Sequence, residues 1–157
     1  MIYQRYEQPL LHTAQRMLGR REDAEDAVQQ TFLKLYRGIR RFRAGARFST
    51  YLFRIHLNVC YDALRKRRRR PTDQLDCDPA DLNPSRPGHD TGHEVYRAID
   101  QLPERMRACF VLFAVEGFEQ KEIAEVLKIS VGGVKSNIFH AKARLRARLS
   151  SPQTEAS

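Results

Sequence analysis

The 157-residue sequence predicts an all-α protein: two small helical domains joined by a flexible acidic linker, the C-terminal one a helix-turn-helix. Three observations predict it. Apolar residues recur at three- and four-residue steps on both sides of the middle, the period of one helix face. No segment alternates apolar and polar residues as a half-buried strand would. Residues 71–93, PTDQLDCDPADLNPSRPGHDTGH, hold four of the seven prolines and five aspartates, a composition that buries little. The expected divisions are a domain over 1–70, the linker 71–93, a domain over 94–152 and a disordered tail over 153–157.

The first helix is set by Leu10, Leu11, Ala14, Met17 and Leu18 and closed by Gly19, where a helix C-terminus favours glycine. Ala24, Ala27, Val28, Thr31, Phe32, Leu35, Tyr36 and Ile39 give the second its stripe. The loop FRAGARF, residues 42–48, interrupts the pattern, and a third helix starts near Ser49 and runs into the basic cluster at 65–70. That helix has two apolar stripes on roughly opposite sides, Phe48, Leu52, Ile55 and Val59 against Phe53, Leu57, Cys60 and Leu64.

Beyond the linker, helical periodicity resumes near Glu94, and Leu102-Pro103-Glu104 reads as a helix entry with proline in the first turn. Met106, Cys109, Phe110 and Phe113 follow, then a break at Gly117. A short helix over 120–127 turns its Ile123, Ala124 and Leu127 inward. After a tight turn capped by Ser130 comes a long helix whose buried face is Val134, Ile138, Ala141, Leu145 and Leu149.

A net charge of +9 favours polyanionic partners, nucleic acid before an anionic membrane. No stretch approaches the roughly 20 apolar residues that span a bilayer, and the N-terminus lacks a signal-peptide core. Cys60, Cys77 and Cys109 have no CxxC spacing and read as reduced thiols, so a cytoplasmic protein without membrane insertion is expected. Glu22, Asp23, Glu25 and Asp26 have no histidine at ligand spacing. They read as helix N-terminal charges on a partner-facing surface, and no metal, cofactor or catalytic residue is expected.

The last helix carries Lys135, Ser136, Phe139, Lys142 and Arg146 opposite its apolar stripe, and residues 128–149 contain six Lys or Arg and no acid. Lysines there suit phosphates, Ser136 and Asn137 suit base edges, and Phe139 suits a thymine methyl. On the third helix a strip of Tyr51, Arg54, Asn58, Tyr61 and Arg65 interleaves rings with cations, a pattern that stacks unpaired bases.

The stretches DAEDAVQQTFLKLYR, FSTYLFRIHLNVCYDALRKRRRR and LPERMRACFVLFAVEGFEQKEIAEVLKISVGGVKSNIFHAKARL, in this order, resemble the extracytoplasmic-function sigma factors, small specificity subunits of bacterial RNA polymerase. The resemblance implies a surface at Asp23, Asp26, Gln29, Gln30, Phe32, Leu33 and Tyr36 that docks on the β′ clamp helices of the polymerase core. It implies that residues 42–48 with Tyr51, Phe53, Arg54 and Asn58 open the −10 element of promoter DNA and capture an unstacked base. For Phe53 that contact rests on the resemblance alone. It further implies a −35 reader at Lys135, Ser136, Asn137, Phe139 and His140, with Lys142 on the backbone, a β flap contact, and an anti-sigma factor partner. Gly133 stands where the family usually has Thr, and Asn137 and His140 where Arg is common, which weakens phosphate or guanine contacts there. The competing readings are a helix-turn-helix repressor or activator binding duplex operators without polymerase, and a nuclease using the Glu22–Asp26 carboxylates with Mg²⁺.

Overall fold

The computed structural model describes residues 2–43, 45, 47–69 and 90–150, all helical or in short connections. The expected linker lies outside the described residues except for 90–93, and so does the tail. The helices are α1 (Ile2–Leu18), α2 (Arg21–Gly38), α3 (Phe48–Arg68), α4 (Asp90–Asp100), α5 (Glu104–Phe110), α6 (Gln120–Leu127) and α7 (Val131–Ser150). Thus α4 starts at Asp90, four residues before the expected Glu94.

In the N-terminal half α1, α2 and α3 pack together around Leu10, Ala14, Met17, Ala27, Val28, Leu35 and Leu52. Gly19 closes α1 at φ 81°, a left-handed backbone that a side chain would strain. Buried among these three helices, His56 is fully enclosed and joins them by two hydrogen bonds. Its Nε2 lies 2.8 Å from the Leu10 carbonyl of α1, and its Nδ1 lies 2.7 Å from Thr31 Oγ1 of α2. A carbonyl only accepts, so Nε2 carries the proton. Nδ1 of a neutral ring must then accept from the Thr31 hydroxyl. That hydroxyl also lies 2.7 Å from Ala27 O, a helix carbonyl that does not depend on it. Burial lowers the His56 pKa to about 4, against the opposing pull of its bond to Leu10.

In the C-terminal half α5 runs on through a wide turn at Val111–Val115 and ends at Gly117, φ 74°. The helix-turn-helix is α6, a left-handed Lys128 (φ 54°) and α7. Ile123 and Val126 are buried, while Ala124 and Leu127 are half-buried. On α7, Val134, Ile138, Ala141 and Leu145 are buried as expected. Leu149 is not: it is 43 % exposed, because the apolar cluster built with Ala98, Ile99 and Leu102 reaches no further than Leu145.

The two halves share one core. A single apolar cluster runs from Leu10 and Leu57 to Leu112, Phe118, Ile123 and Ile138, and α6 packs directly on α3. The two apolar stripes of α3 are explained: its second stripe begins at Phe53, 2 % exposed, whose ring meets Phe118 edge-on at 4.8 Å.

Because the unfolded chain protonates His56 first, its contribution to stability is whole above pH 6.5 and is lost as pH falls toward about 4. The raised carboxyls of Asp100 and Glu116 act in the opposite sense, so the comparison must be differential. The stability difference between the native chain and His56→Gln, from urea unfolding, should shrink by about 2 kcal/mol between pH 7 and pH 5. A difference independent of pH would contradict this account of His56.

Candidate nucleic-acid interface

The outer face of α2 presents Asp26, Gln29, Gln30, Leu33 and Tyr36 to solvent, with Tyr36 83 % exposed. Leu33 and Tyr36 are one helical turn apart and leave a large apolar area uncovered by this chain. Phe32 is half-buried beside the ring of Tyr3, 4.7 Å away, which brings α1 into the same surface. Asp23 lies partly inward, where Arg67 of α3 holds it at 2.6 Å. Among the described residues no group of three His, Cys, Asp or Glu is placed to hold a metal.

The α3 strip divides. Asn58 and Arg65 are exposed, Arg65 paired with Asp62, and Tyr51 and Arg54 are half-buried. The Tyr51 hydroxyl donates to the Gly38 carbonyl at 3.0 Å, and a methyl at Gly38 would stand 3.1 Å from that hydroxyl, so glycine there makes room for the tyrosine. Phe53 and Tyr61 turn toward the C-terminal half. Phe53, placed on promoter DNA by the resemblance, is a core residue here, because Phe118 gives its ring an aromatic partner. Tyr61 is half-buried; burial raises its phenol pKa, with Cys109, Arg105 and Glu104 of α5 as neighbours.

Sequence reasoning missed the aromatic box beside this strip. Phe42 meets Phe48 edge-on at 5.6 Å and Tyr51 at 5.2 Å, and Tyr6 of α1 closes on Phe48 at 5.7 Å. Arg37, Arg40, Arg41, Arg43 and Arg47, its neighbours in sequence, are exposed. The aromatic–cation density of 36–48 was a signal for it; the contribution of Tyr6, forty residues away, was not readable.

On α7, Lys135, Ser136, Phe139 and His140 are exposed, Phe139 at 70 %, with its ring edge-on to His140. Lys142 is exposed and sits 5.3 Å over the ring of Phe113. Asn137 is half-buried and donates through Nδ2 to the Gly133 carbonyl at 2.8 Å. Ser130 Oγ accepts from the Gly133 N–H at 2.9 Å, the expected cap. A methyl at Gly133 would lie 3.2 Å from that oxygen, whereas at Gly132 nothing stands nearer than 3.9 Å. Gly133 thus serves the cap, and Gly132 is the glycine no internal contact requires.

Residues 2–70 match the family model of sigma-70 region 2 and residues 92–145 that of sigma-70 region 4. The chain is 35 % identical over 149 residues to the ECF RNA polymerase sigma factor SigE of Mycolicibacterium smegmatis, covering 90 % of this chain and 58 % of that protein. It is 37 % identical over 140 residues to SigM of Mycobacterium tuberculosis, covering 88 % of this chain and 70 % of SigM. The fold is that of the sigma factor RpoE of Bartonella quintana, solved with the anti-sigma factor NepR (TM-score 0.82, 24 % identity, 96 % of each chain). CnrH, solved with the cytosolic domain of CnrY, is also similar (TM-score 0.71, 28 % identity, 94 % of this chain and 84 % of CnrH). The chain belongs to the extracytoplasmic-function sigma factors of bacterial RNA polymerase.

In Gly132→Ala the helix gains propensity, and thermal unfolding should report about 0.5–1 kcal/mol more stability. Its affinity for promoter duplex should fall, because a methyl keeps the helix N-terminus from the backbone. Unchanged duplex affinity would mean that Gly132 has no part in DNA approach.

Proposed function

We propose that the chain is an alternative sigma factor that brings RNA polymerase core to chosen promoters and starts transcription without catalysis of its own. The observation that carries this is the presence, on one chain, of two different faces suited to nucleic acid. The exposed basic face of α7 suits a duplex groove, and the aromatic box with the Tyr51–Arg54–Asn58 edge of α3 suits an unpaired base. A helix-turn-helix operator-binding protein needs only the first.

In this reading the exposed face of α2, at Asp26, Gln29, Gln30, Leu33 and Tyr36 with Phe32 and the Tyr3 ring at its edge, docks on the β′ clamp helices. The C-terminal half meets the β flap. The α7 face reads the −35 duplex: Lys135 and Lys142 neutralise phosphates, Ser136 and Asn137 meet base edges, and Phe139 lies on a thymine methyl. Opening several base pairs costs more than one captured base returns, since stacking contributes roughly 1–3 kcal/mol per base. The polymerase must therefore supply the remainder through core contacts. The protein acts in the cytoplasm, and an anti-sigma factor covers its exposed apolar face when transcription is not wanted. Among the described residues no helix is long and apolar enough to cross a membrane.

The deciding experiment adds purified protein to core polymerase on duplex and pre-opened promoters. Promoter-specific run-off supports the proposal; operator binding without core supports a repressor, and Mg²⁺-dependent cleavage a nuclease. Replacing Arg54 and Asn58 together by alanine should lower permanganate reactivity of the −10 thymines while sparing core binding. Undiminished reactivity would remove the strip from strand capture. Lys135→Ala should weaken duplex binding across all sequences and reduce the salt slope by about 1; an unaltered slope would take Lys135 off the phosphates.

A further inference from the structure

A lysine carries a compact charge on a flexible four-carbon stem, and a phosphate contact has to order that stem. On α7, Lys135, Lys142 and Arg146 recur at spacings of seven and four residues, which sets them along one edge of the helix. All three are exposed, and among the described residues none is in an ion pair. Among the described residues, Lys142 alone of the three has a ring beneath its charge: its Nζ lies 5.3 Å over Phe113. Phe113 comes from the wide turn that follows α5, where the Glu116 N–H reaches back five residues to Val111 O at 3.1 Å. A regular helix would bury residue 115, which stands four after Val111 and three after Leu112, both fully enclosed. The wide turn shifts that phase, and Val115 is 43 % exposed. Phe113 is half-buried, its body packed against the shared core and its ring within reach of α7. Wide turns of this kind occur often at functional positions.

We infer that Phe113 is a positioning residue for the α7 face: its ring holds the Lys142 ammonium at the helix edge, ready for a phosphate of the duplex. The inference rests on the reading of α7 as a duplex reader for what Lys142 meets, and adds which residue steers it. The choice of a ring has a chemical reason. A carboxylate would also hold the ammonium, but it would cancel the charge and occupy its N–H groups. An aromatic face attracts a cation without taking up its hydrogen bonds, so all three ammonium donors stay free for phosphate oxygens. The core fixes the ring from its other side, so the steering comes from a packed part of the fold. A leucine in its place would keep the apolar contact with the core and lose the attraction. Lys142 would then still reach a phosphate, but from a wider spread of conformations that binding has to narrow.

The test measures, by anisotropy over a range of salt, binding of the full chain to a fluorescein-labelled duplex bearing the −35 region of a promoter it transcribes. Phe113→Leu should weaken binding about threefold, the size of a cation–π contact at an exposed site, and Phe113→Tyr should restore native affinity. Lys142→Ala should weaken binding and reduce the salt slope by about 1. In the Lys142→Ala background, Phe113→Leu should cause no further loss, an outcome that a merely structural role for the ring would not produce. Urea unfolding confirms that each variant is folded, and if Phe113→Leu is not, Phe113→Met takes its place. Three results overturn the inference: native affinity in the folded ringless variant, no recovery in Phe113→Tyr, or the same threefold loss in the Lys142→Ala background. Native affinity and slope in Lys142→Ala also overturn it, by taking that lysine off the phosphates. Run-off by the native chain is independent of all four, so the sigma-factor reading stands wherever that activity is seen. Absence of native run-off removes that reading, and with it the duplex role of Lys142.

Discussion

A helix that is apolar on two opposite sides cannot be satisfied by neighbours on one, and α3 is such a helix. Leu52 and Val59 on one stripe and Phe53, Leu57, Cys60 and Leu64 on the other are all buried. The helices α1 and α2 pack on it from the N-terminal half and α6 packs on it from the other. Taking away either neighbour would return a stripe to water, at roughly 1.5–3 kcal/mol for each large side chain uncovered. Everything else is arranged around that demand. Of the polar edge between the stripes, Asn58 and Arg65 are left exposed and Tyr51 and Arg54 half-exposed, and these are residues suited to nucleic acid.

Apolar seams resist separation but tolerate sliding; hydrogen bonds with fixed directions set the register. The C-terminus of α1 shows how completely this is done. Its last four carbonyls, those of residues 15–18, all have donors: the Gly19 N–H takes Gln15, Arg107 takes Arg16 and Met17, and Arg67 takes Leu18. One helix end therefore locates its own turn, the basic end of α3 and the first helix of the C-terminal half. His56 does the equivalent inside the N-terminal half, where one ring orders three helices and its burial makes that order sensitive to pH. Each of these groups would be costly to bury without its partner, and a packing that broke these bonds would carry that cost.

Much of this was legible in the sequence because much of it is local. Helical period located α2, α3, α6 and α7; glycine's freedom located the stops at 19 and 117; Ser130 announced the α7 cap. The outward direction of Phe139 followed from a wheel alone. Local pattern could not say what covers a face. It marked the Phe53 stripe as apolar but not that Phe118, sixty-five residues on, lies across it. It gave Leu149 the right phase without knowing that the opposing cluster had already ended. Nothing in the local pattern singles out Arg107, because carbonyl acceptors leave no trace in side-chain sequence. The aromatic box was half legible for the same reason: Phe42, Phe48 and Tyr51 are near in sequence, and Tyr6 is not.

The first turn of α7 serves two masters, its own cap and the groove it suits. Gly133 is bonded on both sides by polar side chains, Ser130 on its N–H and Asn137 on its carbonyl. That ties Asn137 close to the helix, yet its carboxamide keeps one N–H and its Oδ1, the donor and acceptor that adenine's N7 and N6 require. Where arginine stands at 137 and 140, a long arm can reach guanine or phosphate from a distance. Here the side chains are short, and the cations sit apart at Lys135, Lys142, Arg144, Arg146 and Arg148. Short reach has a geometric consequence: base contact demands that the helix backbone itself come close. Gly132, exposed and required by nothing inside the protein, puts no side chain in the way of such an approach.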